Sequence, residues 1–178
     1  MAELHILGEI QGTKYFPEKY SLFCRYSFQA GCNWTVISGA SEGQTVAAEP
    51  DELQSVAWSH SIDIHYLSRG IQGWPKLVLQ VSCVDSIGRS WVVGYAHCNI
   101  PAVPGLHNLE IPSWIPAATT LTDRLKEYFI GGSHQLLNLD IISLGNDRFK
   151  LKTRSKGIIK LNVDIVLRNF SKFGVEYK

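Results

Sequence analysis

The sequence predicts an all-β fold, an antiparallel sandwich of about eight strands with one short helical insertion. Short apolar or alternating runs are separated by Gly, Pro and Asn along the whole chain, which is typical of strands. A helical repeat occurs in only one segment, near residues 119–130. Strands that follow one another without intervening helices usually pair antiparallel and pack as two layers.

Length and composition favour one globular domain. The chain has 178 residues, 45% hydrophobic and 19% charged, with a formal net charge of +1. This length suits a single domain over residues 1–178 with an ordinary core. The opening MAELHILGEIQG lacks the basic and apolar regions of a signal peptide, and the longest apolar run, IIKLNVDIVL, is broken by polar residues. We therefore expect a cytosolic or nuclear protein without a membrane span.

The predicted strands follow from apolar alternation. The clearest pair is predicted near the end of the chain, where the turn Ser155-Lys156-Gly157 would join two strands into a hairpin with one buried and one solvated face. Strands are predicted at residues 3–11, 21–28, 33–38, 62–68, 75–84, 90–99, 105–111, 148–154 and 157–168.

One helix is predicted between the last strands. Thr119 or Thr120 can cap it, and Gly131-Gly132 would end it. Its apolar positions recur at a helical spacing: Leu121, Leu125, Tyr128 and Phe129.

Cysteine and histidine spacing does not indicate a metal site or another cofactor. The four cysteines contain no C-x-x-C pair, so buried thiols in a reducing compartment are the simplest interpretation. His60 and His65 lie five residues apart in an alternating stretch, where their side chains would face opposite ways.

A catalytic site is not expected. Residues 39–43, Gly-Ala-Ser-Glu-Gly, match the G-x-S-x-G pattern of a nucleophile elbow around Ser41. That elbow requires a following helix in a parallel sheet, whereas Pro50 and polar residues follow here. A loop between strands is the favoured interpretation, and no other group is placed for catalysis.

Trp74 and Pro75 open one predicted strand. Pro is tolerated at the first residue of a strand, and a Trp beside it can close the end of a sandwich. We favour this structural role over the alternative, a loop-tip Trp that anchors a partner.

Positive charge is concentrated near the end of the chain. Eight Lys or Arg residues and one acid lie between Arg148 and Lys172. A solvated face is the usual explanation, but a basic hairpin could also bind acidic lipid headgroups or an acidic protein. The candidate residues are Lys150, Lys152, Arg154 and Lys160. Nucleic acid is not an expected partner, because no aromatic residues interleave with these charges on the same exposed face and the overall charge is near neutral.

The stretch VSCVDSIGRSWVVGYAHCNIP (81–101) has the shape of a loop that could hold calcium between two strands. Calcium takes six to eight oxygen ligands, but only Asp85 supplies a carboxylate, and Ile87 and Arg89 follow it. We expect Asp85 to pair with Arg89 or to cap its own turn, without a metal.

Taken together, these segments resemble the B9-domain family of the ciliary transition zone. The similarity covers nearly the whole chain and is clearest around Trp74-Pro75, Asp85, Gly88-Arg89 and Gly94-Tyr95. It is carried by WSHSIDIH (58–65), GIQGWPKLVLQV (70–81), DSIGR (85–89), GYAHCNIP (94–101), PGLH (104–107) and PSWIP (112–116). The compact length argues against the subgroup with a long N-terminal extension, and the opening MAELHILG and the ending LRNFSKFGVE (167–176) are most similar to one of the two compact subgroups.

The resemblance implies a C2-like sandwich without enzymatic activity. It implies two sister B9-domain proteins and transmembrane proteins of a Meckel-type complex as partners. The expected location is the cilium base, including the transition zone, basal body, axoneme and cytoskeleton. The expected role is to support ciliogenesis and the membrane diffusion barrier, and the alternative is calcium-independent binding to an acidic membrane.

Overall fold

The structure, a computed structural model, describes residues 1–117, Leu136, Ile142 and 151–174. Among these residues no helix has the length and hydrophobicity needed to cross a membrane. A short 3₁₀ helix (Phe170–Phe173) follows the last strand. The strands are β1 (Ala2–Lys14), β2 (Ser21–Gln29), β3 (Trp34–Gly39), β4 (Glu42–Gln44), β5 (Val56–Ser68), β6 (Lys76–Val84), β7 (Ser90–Asn99), β8 (Gly105–Pro116) and β9 (Thr153–Arg168).

All strand pairs are antiparallel, and the sheet order is β3-β5-β1-β9-β8-β7-β6-β2-β4. The sheet curls into a five-stranded layer, β3 to β8, and a four-stranded layer, β7 to β4. Backbone pairing between these layers occurs at Tyr95 and Trp114. The predicted all-β antiparallel sandwich is confirmed.

The core lies between the two layers. Alternate residues of β1, such as Leu4 and Ile6, are fully buried in one cluster with Leu77 and Leu79 of β6. This alternation arises because successive side chains of a strand point to opposite faces. Trp58 on β5 also joins the layers, since its indole Nε1 donates a 2.9 Å hydrogen bond to the carbonyl of Leu22 on β2.

The predicted hairpin near the end of the chain is wrong. Residues 153–168 form one strand, so Ser155-Lys156-Gly157 continues the strand instead of turning. Gly157 is required by a close approach, because a Cβ there would overlap the Lys14 carbonyl oxygen and the Phe16 ring. The segment 148–150 of the predicted first strand lies outside the described residues.

A second, smaller core covers the outer side of the four-stranded layer. Val78, Val92, Tyr95, Trp114 and Ile142 form this buried cluster. The hydroxyl of Tyr95 accepts a 3.0 Å hydrogen bond from the backbone N–H of Leu136. Part of the chain between β8 and β9 therefore packs here, while the helix predicted at 119–130 lies outside the described residues.

Two further differences concern short or polar strands. β4 has only three residues and no apolar side chain, so no apolar alternation could predict it. β5 begins at Val56, six residues before the predicted start at residue 62, and its extra residues pair with the end of β1.

Candidate functional site

The turn between β6 and β7 is built around Asp85. One carboxylate oxygen, Oδ1, accepts hydrogen bonds from the backbone N–H groups of Ile87 (3.0 Å) and Arg89 (2.8 Å). The other, Oδ2, accepts a 2.7 Å hydrogen bond from Nε of Arg89. Gly88 completes the turn at φ 88°, a left-handed conformation that glycine adopts readily. Both roles expected for Asp85, pairing with Arg89 and capping the turn, are confirmed.

These contacts determine the charge state of Asp85. Burial acts to raise the pKa of the carboxyl, but the hydrogen bonds from Arg89 and from the backbone of Ile87 outweigh it and hold the pKa below its ordinary value. The carboxylate is therefore ionised and its oxygens are occupied by its own turn. Within the described residues, no three His, Cys, Asp or Glu side chains are grouped so that they could hold a metal ion.

Trp74 lies in an aromatic cluster at the opposite end of the sandwich. Its ring meets Trp34 edge-on at 5.0 Å and lies 5.9 Å from Phe170, between ring centroids. Its indole Nε1 donates a 2.8 Å hydrogen bond to the carbonyl of Ile100, and the carbonyl of Pro75 accepts one from the backbone N–H of Ile100. These contacts agree with the favoured structural role. Both Trp74 and Pro75 hydrogen-bond to Ile100, the residue that follows β7.

Gly94 and Tyr95 are neighbours in β7 and lie on opposite faces of the sheet. A Cβ at Gly94 would lie 3.2 Å from the Phe16 ring and 3.3 Å from Oγ of Ser113, which leaves little room for a side chain. Tyr95 is buried in the smaller core against Trp114. Both residues thus have packing roles, and the structure does not bring them together with Trp74 or with the Asp85 turn.

Ser41 lies between β3 and β4. A strand follows it where a nucleophile elbow would need a helix, and its carbonyl accepts a 2.7 Å hydrogen bond from the backbone N–H of Phe28. The structure therefore gives Ser41 the position of a loop residue between strands.

Two of the four candidate basic residues, Arg154 and Lys160, lie on β9, which is one strand instead of a hairpin. Lys160 faces outward, whereas Arg154 is exposed near the start of the strand, beyond a register shift in the ladder with β8, and Lys152 is exposed just before the strand. Lys160 pairs with Glu110 of β8 at 3.5 Å. The intervening Lys156 is mostly buried and pairs with Glu18 at 3.0 Å. An acid on β8 and an acid in the loop between β1 and β2 therefore offset part of the charge. Lys150 lies outside the described residues.

The cysteines differ in exposure. Cys24 and Cys83 are buried and Cys98 is half-buried, and burial raises the pKa of each of these thiols to about 12. Cys32 is exposed, so the expectation that all four are buried is wrong for it. Its place in the tight loop between β2 and β3 accounts for this, because the loop side chains point away from the core.

Sequence patterns missed the outward side of the five-stranded layer. Here the imidazoles of His5 and His65 stack at a centroid distance of 4.9 Å. Nε2 of His5 lies 2.7 Å from Asp63, and Nε2 of His65 lies 3.6 Å from Glu3. This group can be recognised only from the strand register, because the register places residues some 60 positions apart in the sequence opposite each other. His60 is on the other face, beside Tyr26, as its spacing from His65 predicts.

Comparison with known proteins identifies the family. The family described as "B9-C2: Ciliary basal body-associated, B9 protein" matches residues 4–166. The chain belongs to the B9 family. Within that family, B9 domain-containing protein 2 of Bos taurus is 43% identical over 176 residues, which cover 99% of each chain. The subgroup predicted from the length and the ending of the chain is thereby confirmed.

The family also contains a more distant kind of chain. B9 domain-containing protein 1 of Mus musculus is 30% identical over 175 residues, covering 97% of this chain and 85% of that protein. Among solved structures, the C2A domain of plant extended synaptotagmin 1 covers 94% of both chains, with 9% identity and a TM-score of 0.46. At that TM-score the structural likeness adds nothing to the assignment.

Proposed function

We propose that this B9 chain is a non-enzymatic structural subunit of a transition-zone complex at the cytoplasmic face of the cilium base. The observation that carries the proposal is the match to a ciliary basal body-associated family over residues 4–166. The matched range includes nearly all residues of the nine described strands, which lie between residues 2 and 116 and at 153–168.

In this complex the chain binds its two sister B9-domain proteins. Transmembrane proteins of the Meckel-type assembly contact the complex, which supports ciliogenesis and the membrane diffusion barrier. The existence of a 30% identical second kind of B9 chain supports pairing between sisters of similar size. The Asp85 turn also supports a scaffold, because its own hydrogen bonds use the oxygens that a bound ion would need.

Co-expression with the two sister proteins tests this proposal. Size-exclusion chromatography with light scattering should show a stoichiometric complex, equally stable with calcium and with a chelator. A chain that stays monomeric with both sisters would contradict the proposal.

A second candidate function is calcium-independent binding to acidic phospholipids. It is favoured by the exposure of Lys152 and Arg154 at the start of β9, and it is weakened by the Lys160–Glu110 pair. Reversal of the four candidate charges, Lys150, Lys152, Arg154 and Lys160, should abolish sedimentation with acidic vesicles and spare sister binding if the patch binds lipid. If neither property changes, the charges are only a solvated face.

A further inference from the structure

The outward side of β5, β1, β9 and β8, here called the outer face, carries apolar residues where a solvated sheet face is usually polar. Leu106 is 71% exposed and Val166 is 47% exposed. Leu7 is half-buried on the same side of β1.

Strand register places these three residues together. Asp164 of β9 is paired with Leu7 on one side and with Leu106 on the other. Val166 follows two residues later on the same side of β9, opposite His5. Directly opposed side chains in a sheet are about 5 Å apart and diagonal neighbours about 7–8 Å, so the three apolar side chains lie around Asp164 as one patch.

The charges around the patch are mainly acidic. Three bases lie on the outer face: Lys14 at the end of β1, and Lys160 and Arg168, which pair with Glu110 and Glu3 at 3.5 and 3.6 Å. With neutral histidines the net charge of these eight positions is −2, because five carboxylates face outward: Glu3, Glu9, Asp63, Asp164 and Glu110.

The net negative charge of the outer face distinguishes between two possible partners, an anionic membrane and a protein. An anionic bilayer attracts lysine and arginine and therefore disfavours a patch surrounded by acids. A protein surface with an apolar centre and a basic rim is complementary to it.

We propose that the outer face docks a sister B9 sandwich that presents such a basic, apolar-centred surface. This inference rests on the proposed function and adds the contact surface and the partner's chemistry. Four strands about 4.8 Å apart and nine residues at about 3.3 Å each give an area of roughly 550 Å² per partner. That area lies toward the lower end for specific complexes, which bury about 800 Å² per partner at standard size.

Two variants of the face test the inference against two matched controls. Leu106→Asn removes the most exposed apolar side chain of the patch, and Asp164→Lys reverses its central charge. The controls are Leu53→Asn, at a leucine 76% exposed on the loop before β5, and Glu52→Lys beside it. All four positions are exposed, so each variant should fold, as circular dichroism can verify.

The affinity for the sister chain, the counterpart of mouse B9 domain-containing protein 1, is then measured by titration at low and high salt. Each face variant should weaken binding by on the order of ten-fold or more, and the controls should bind like the wild type. The wild-type affinity should also fall with added salt more steeply than that of Asp164→Lys.

The outcomes separate this inference from the proposed function. A wild-type complex that both face variants retain at full affinity overturns the inference and leaves the function standing. Absence of any wild-type complex with either sister overturns both. Sedimentation of the wild type with acidic vesicles that is lost in Leu106→Asn would also overturn the inference, because the face would then be a membrane surface.

Discussion

Replacing Trp74 by Ala tests how much the aromatic cluster contributes to stability. Removing a buried Trp or Phe typically costs about 3–5 kcal/mol of unfolding free energy. Trp74 is only partly buried, which lowers the cavity term, but its removal also leaves the Ile100 carbonyl without its 2.8 Å donor, at about 1 kcal/mol. The edge-on contact with Trp34 adds about 0.5–1.5 kcal/mol. We expect a loss of about 3–4 kcal/mol.

Urea unfolding followed by far-ultraviolet circular dichroism measures this loss without relying on tryptophan fluorescence. For a chain of this length the melting temperature should fall by about 6–16 °C. Trp74→Phe is the matched control, because it keeps an aromatic ring but removes the N–H donor and part of the indole, so it should cost about 1–2 kcal/mol, less than Trp74→Ala. A loss below about 1 kcal/mol in Trp74→Ala, together with loss of sister binding, would refute the structural role and place Trp74 at an interface.

Three further predictions concern Asp85, Gly157 and Cys32. Because the folded pKa of Asp85 is lowered, its stabilisation is present above the ordinary carboxyl value of about 4 and is lost as pH falls through the folded value. Asp85→Asn should therefore unfold more easily than the wild type at neutral pH, and this difference in stability should close on acidification. Calcium should shift neither melting curve. A stability difference that is constant with pH, or a calcium shift in the wild type, would contradict this. Gly157→Ala should cost at least about 1–3 kcal/mol in urea unfolding through overlap with Lys14 and Phe16, whereas the exposed Ser155→Ala should change stability by less than about 0.5 kcal/mol. An aromatic disulfide reagent should modify one thiol per native chain rapidly, and Cys32→Ser should remove that reaction; three or four fast thiols would show that the other cysteines are not buried as described.

The sequence predicted the fold class because apolar alternation records which side of each strand faces the core. It failed at Ser155-Lys156-Gly157 because a glycine required by close packing has the same appearance as a turn glycine. The alternation was no guide either, because Leu151 packs against the smaller core whereas Ile159 and Leu161 lie in the main core. The ladder between β8 and β9 shifts register between Ile158 and Ser155, so the strand continues through an irregularity where the sequence resembles a turn.

The candidate site was predictable only where its contacts are local. Asp85 and Arg89 are four residues apart, so their pairing could be inferred from the turn they share. The outer face depends on pairs such as Leu7 with Asp164 and His5 with His65, which are remote in sequence. Residue spacing carries no information about such pairs until the order of the strands is known.

The position of β1 has a consequence for folding during synthesis. β1 is made first, yet it lies between β5 and β9 and forms ladders with both. Its second ladder cannot form until residues 153–168 have left the ribosome, and at about 5–20 residues per second that takes roughly 10–30 s. During this delay one edge of β1, with its apolar side chains, has no native neighbour. The nascent chain is therefore open to chaperone binding and misassembly, and a chain truncated before β9 would remain in that state.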